Sequence, residues 1–261
     1  MPALAGHDRE LRTLATFDPF EILPFHGYIN SETGKRELHN SLAHFYHHQR
    51  LAGSSDGIRQ YLASIDDPDL FRIEVEGVGY ETTADDWVTN ETSCLKAGLY
   101  MQAVDQIEVY GELLQSASNL SVVNCSFATT IADALSSFIC SLGANEDVLK
   151  VAFIGDAPMT FAVDCFKVIF DRRLPDALFA LEGEDLSQVI SNLARKLYVP
   201  LSLIPCGLEP NAAAENIGRR CTHAFHFQGV SSSQNANDVA EALLELGKVV
   251  TPISVDHAKA G

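Results

Sequence analysis

From residue 148 onward the chain alternates short apolar runs with segments of helical periodicity, and this alternation narrows the fold more than any other feature. VLKVAFIG, DALFALEG, VPLSLIPCG, CTHAFHFQG and VVTPISV are five runs of strand length. MTFAVDCFKVIFDRR, DLSQVISNLARKL and ANDVAEALLELG carry apolar residues at helical spacing between them. Strands joined by helices of this length form right-handed β-α-β crossovers, and the sheet they build is parallel and buried on both faces. The expectation over residues 146–261 is a doubly wound, Rossmann-like α/β domain.

Residues 1–145 read differently, as a mainly helical domain that caps the first or supplies an acceptor site. LKAGLYMQAVDQIEVYGELLQSA, residues 95–117, has helical spacing and no proline, which predicts one continuous helix. FATTIADALSSFICSLG predicts a second, stopped by Gly143. LPFHGYINSETGKRE and FRIEVEGVGYE interrupt the pattern. Phe71, Ile73 and Val75 alternate with polar neighbours, which predicts a strand or hairpin edge there.

In an open parallel sheet, ligands sit beyond the carboxyl ends of the strands where the strand order reverses. The loop of VAFIGDAPMT, with Gly155, Asp156, Ala157 and Pro158, belongs at that place. So does the cluster Glu182, Gly183, Glu184 and Asp185 after the second strand, one crossover later. An acid there takes the ribose hydroxyls of a nucleoside. The plainer reading of Glu184 and Asp185 is a solvated helix start, where acids are favoured. A pyrophosphate needs close backbone approach and no negative side chain in the turn, so Asp156 and Ala157 argue against NAD or ATP. A nucleoside carrying positive charge, such as S-adenosylmethionine, fits the loop better. No G-x-S-x-G and no G-x-x-x-x-G-K-[ST] occurs.

Net charge is −17 over 261 residues, a balance that repels phosphate backbones and anionic lipid. Nucleic acid and membrane surfaces are therefore not expected partners, and no apolar stretch reaches the length of a membrane span. MPALAGHDRELRTLATFDPF is not expected to act as a secretory signal. Six scattered cysteines without a C-x-x-C pair suit a reducing cytoplasm.

Taken in order, DQIEVYGELL, SFATTIADALSSF, LKVAFIGDAPMTF, GEDLSQVISNLARKL and THAFHFQGV resemble the nicotianamine synthases, over about residues 100–255. The resemblance implies a helical N-terminal domain and a Rossmann-like C-terminal domain of class I methyltransferase type. It also implies S-adenosylmethionine as substrate, used through its aminocarboxypropyl arm with release of methylthioadenosine. The acceptor is an amine or amino acid, or, as in the related azetidine-2-carboxylate synthases, the cofactor's own amine closes a ring. Carried over by position, Glu108 orients or deprotonates an amine, and Phe127 steadies the sulfonium. Tyr110 is a further candidate, although two residues from Glu108 on a helix it cannot share that face. Pro158, Phe161 and Asp185 match family positions in the cofactor half. Departures are Asp156–Ala157 after the first glycine, Ser126 for a tyrosine, and Ala128, Thr129 and Ile131 for polar acceptor residues. They point to a different acceptor or to ring closure. A conventional methyltransferase and a non-catalytic binding protein are the alternatives, and a homodimer is one assembly open to the chain.

HNSLAHFYHHQR places His44, His47 and His48 at i, i+3 and i+4. That spacing can bind zinc or iron, but no Asp, Glu or Cys stands at ligand spacing nearby. The expectation is a polar helix surface anchored by Phe45 and Tyr46, with no metal site. His223 and His226, three apart on a strand, point to opposite faces, with structural roles expected.

Overall fold

The computed structural model describes residues 16–30, 32–52, 54, 56–78, 87–115, 121–142, 148–171, 173–182, 185–205, 207–229 and 233–255. Its main sheet has five strands: β5 (Lys150–Gly155), β6 (Ala177–Leu181), β7 (Leu201–Ile204), β8 (His223–Gln228) and β9 (Val250–Ser254). Their order is β7-β6-β5-β8-β9 and every pairing is parallel. Val151 to Gly155 and all of β6 and β7 are buried, as strands covered on both faces require. Helix α7 (Met159–Ile169) packs with α8 (Asp185–Leu197), and α9 (Pro210–Arg220) packs with α10 (Gln234–Glu245). The chain winds outward from β5 in one direction and then in the other, so right-handed crossovers put the two pairs on opposite faces.

Before this sheet come a parallel pair, β1 (Thr16–Phe17) with β4 (Ser121–Val122), and an antiparallel hairpin, β2 (Phe25–Ile29) with β3 (Arg36–His39). Among the described residues six helices accompany them: α1 (Leu42–Arg50), α2 (Asp56–Ala63), α3 (Pro68–Gly77), α4 (Trp87–Asp105), α5 (Ile107–Gln115) and α6 (Ala128–Leu142). Gly143, the expected stop of α6, lies outside the described residues. No helix among the described residues is long and apolar enough to cross a membrane.

Two local expectations are corrected. FRIEVEG is helix α3, not a strand. Asp67 accepts from the backbone N–H of Asp69 and Leu70, and Pro68 occupies the first turn, so a strong start signal overrides the alternation. Phe71 and Val75, at i and i+4, are buried, whereas Ile73 is 67% exposed. The helix expected over 95–117 begins earlier and breaks after Asp105. Asp105 accepts from the N–H of His26, and Gln106 donates to Pro24 O, so the segment leading into β2 holds the break.

The hairpin ties the first half to the second. Ile29 N–H donates to Ser191 Oγ on α8 at 2.7 Å, Tyr28 hydroxyl to Val199 O at 3.0 Å, and Arg195 to Ile29 O at 3.1 Å. One continuous apolar cluster includes Phe25, Phe45 and Leu95 as well as Phe153, Phe179 and Val239. At Gly98 a Cβ would stand 2.7 Å from Leu42 and Phe45 side-chain carbons, so α1 and α4 approach closely there.

Candidate functional site

The chain leaves β5 toward β6 on one side and reaches β8 on the other, so a crevice opens beyond their carboxyl ends. Gly155 ends β5 opposite Phe227, with φ +96°. A Cβ there would lie 2.3 Å from Phe227 O, so only glycine permits this turn beside β8. Ala157 is buried, and Pro158 is exposed at the start of α7. Asp156 is half-buried, and the backbone N–H groups of Leu186 and Asp185 at the start of α8 favour its ionised form. Its Oδ1 is buried without a hydrogen-bond partner among the described residues. Burial first, then the charge of Asp185, raises its acid above the usual range, against those two N–H groups.

Asp185 is exposed, and Glu182 is half-buried after β6, its N–H donating to Ile204 O at 2.8 Å. Glu184 lies outside the described residues. Arg36 on β3 feels Glu182: burial lowers its guanidinium, and the attraction of Asp105 and Glu182 opposes that. The sequence-derived cofactor residues Gly155, Asp156, Ala157 and Pro158 thus form one loop, with Asp185 against it.

The residues carried over for the reaction are dispersed. Glu108 is exposed in the first turn of α5. Tyr110 is buried, its hydroxyl donating to Gln102 Oε1 at 2.7 Å, while Gln102 donates to Leu23 O. Burial drives its phenol far above the ordinary range, so it stays protonated. Phe127 is buried and stacked on Tyr46, with ring centroids 4.2 Å apart and planes at 7°. It also edges His47 at 5.3 Å.

That contact leads to a second site. Helix α1 is not a polar surface helix; His44, Tyr46, His47, Gln49 and Arg50 are all buried. Beside it is a cavity of about 270 Å³ whose wall includes Glu37, His39, His44, His47, His48 and Arg59. His44 is fully used, bonding Ser41 Oγ and Ile65 O and stacking on Phe71. Both nitrogens of His47 and the Nε2 of His39 are buried without hydrogen-bond partners among the described residues. Glu37 and His39 alternate with exposed Leu38, so both face inward from β3. Glu37 Oε2 lies 3.8 Å from His39 Nε2, 3.7 Å from His48 Nδ1 and 3.0 Å from Arg195. Arg59 donates to His48 Nε2 at 2.9 Å. Burial, then neighbouring charges, pushes His39 and His47 well below the usual range, and burial, against the attraction of Glu37, pushes His48 down to about 4. All three imidazoles are neutral at pH 7.

The sequence reading finds no Asp, Glu or Cys at ligand spacing near the α1 histidines. The usable signal was Glu37-x-His39, a spacing that shares a face only if the segment is a strand. On β8, His223 bonds Thr251 Oγ1 at 2.8 Å, and His226 is buried beside Gln228. No protein-family model, curated protein or solved structure matches the chain.

Proposed function

We propose that the chain is an S-adenosylmethionine-dependent enzyme of small-molecule biosynthesis. It uses the aminocarboxypropyl arm and releases methylthioadenosine, by transfer to an amine or by ring closure. One observation carries this reading. Two carboxylates, Asp156 and Asp185, stand together beyond β5, and burial first, then the charge of Asp185, raises the Asp156 acid. A sulfonium or ammonium relieves that repulsion, whereas a phosphate adds to it. Glu182, at the end of the adjacent strand β6, is the acid for the ribose, and Arg36 beside it is a cation for a ligand carboxylate. Of the three residues carried over for the reaction, Glu108 is the solvent-accessible one, and the reading keeps it as the base toward an amine.

A non-catalytic binding role is the second reading. It is favoured by the burial of Tyr110 and Phe127 in bonds and stacks within the protein. The deciding experiment incubates the protein with S-adenosylmethionine alone, then with histidine or a metabolite extract, and identifies the nucleoside by mass spectrometry. Methylthioadenosine is expected. S-adenosylhomocysteine would make the protein a methyltransferase, and calorimetry showing no binding at millimolar ligand would end the cofactor reading.

A further inference from the structure

We propose that Glu37, His39 and His48 form a binding site for one divalent first-row transition cation. One ligand atom from each lies within 4.8 Å of the other two. A tetrahedral ion with bonds of about 2.0–2.1 Å needs ligand atoms about 3.4 Å apart. The distances of 3.8 and 3.7 Å from Glu37 Oε2 to the two imidazoles are within about 0.4 Å of that value.

One of the three atoms is left without a partner: His39 Nε2 is buried with no hydrogen bond among the described residues and lies 3.8 Å from Glu37 Oε2, which is paired with Arg195 at 3.0 Å. A cation between them gives His39 Nε2 the partner it lacks and shares the Glu37 carboxylate with Arg195. Gly27 makes the arrangement fit, because a Cβ there would press within 2.7 Å of His39 Nε2. Asn30 donates to the other oxygen of Glu37 at 3.3 Å, which turns Oε2 toward the imidazoles. Two imidazoles and one carboxylate are the donors of zinc sites with an open position and of iron(II) facial triads. The neighbouring cavity leaves room for a further ligand on the cation.

Arg59 opposes the site, and its opposition is specific. A guanidinium only donates, so His48 Nε2 accepts from it, and the ring proton sits on Nδ1. Ligation through Nδ1 moves that proton to Nε2, where it meets the Arg59 donor. Binding therefore requires Arg59 to swing away, so Arg59 lowers the affinity, as does Arg195 beside Glu37 Oε2.

The test titrates the full-length, metal-stripped protein with Zn²⁺ by calorimetry and with Co²⁺ by visible absorption. One equivalent is expected, with ligand-field bands of nitrogen and oxygen donors and no thiolate charge transfer. His39→Asn and Glu37→Gln are expected to weaken binding at least about tenfold, and Arg59→Gln to tighten it about tenfold. No binding, thiolate bands, an unaltered His39→Asn, or an Arg59→Gln that fails to tighten would each overturn the proposal. Should His39→Asn or Glu37→Gln not fold, the wild-type cobalt spectrum and Arg59→Gln decide.

Discussion

Asp156, in the loop after β5, lies against the start of α8, where the backbone N–H of Leu186, thirty positions further along the chain, favours its ionised carboxylate. The acid that looks misplaced in a cofactor turn thus faces the next crossover. Its charge is costly where it sits, since burial and Asp185 both raise its acid. Asparagine keeps an acceptor and loses the charge. Asp156→Asn is expected to be at least as stable as the parent at pH 7, and Asp156→Ala less stable than the asparagine variant by about 1 kcal/mol. Urea unfolding of the three proteins checks it, and an alanine variant equal to the asparagine one would show that the side chain does nothing for α8.

Gly155→Ala adds a Cβ at φ +96°, 2.3 Å from Phe227 O. Backbone strain alone costs about 1–3 kcal/mol, and the collision with a strand carbonyl comes on top. The expected result is a large fall in melting temperature. A loss below about 1 kcal/mol would show that the β5 turn is not held as described.

Stability should fall on acidification through the histidine cluster. His39, His44, His47 and His48 have folded pKa values depressed below 6.5. The unfolded chain therefore takes up protons near pH 6.5 while the folded protein does not. The stability these neutral rings carry is complete above pH 6.5 and drains away as pH falls toward the folded values. His48, at about 4 when folded, accounts for up to about 3 kcal/mol between pH 6.5 and 4. Melting His48→Asn and the parent from pH 7 to 4.5 tests this, and the variant is expected to show the flatter profile.

Phe127 and Glu108 should separate cleanly. Phe127→Ala opens a buried stack against Tyr46 and is expected to cost about 3–5 kcal/mol. Glu108→Gln changes an exposed group and is expected to stay within about 0.5 kcal/mol of the parent. A fall in turnover in Glu108→Gln at unchanged stability would then report chemistry. Asp185→Ala, also exposed, is expected to weaken S-adenosylmethionine binding while leaving the fold intact.

The parallel sheet was legible because its strands are continuous apolar runs separated by helices, a pattern that leaves few topologies. The VAFIG run lands on β5 and the ALFAL run on β6. Local rules failed where tertiary partners decide. The alternation at Phe71, Ile73 and Val75 lost to the cap at Asp67. The polar look of HNSLAHFYHHQR concealed a largely buried helix, since His44 stacks on Phe71 and His47 meets Phe127 edge-on instead of meeting water. Asp156 could not be understood from its own neighbours, because the backbone N–H groups that favour its charge belong to the next helix.

The clasp between the hairpin and α8 has a bearing on how the chain comes off the ribosome. Ile29 waits for Ser191, 162 residues later, before its N–H is satisfied. At roughly 5–20 residues per second, that is a delay of about 8–32 s. During it, Phe25, Tyr28 and Phe45 have only the early helices to cover them, and the arrival of α8 completes their packing.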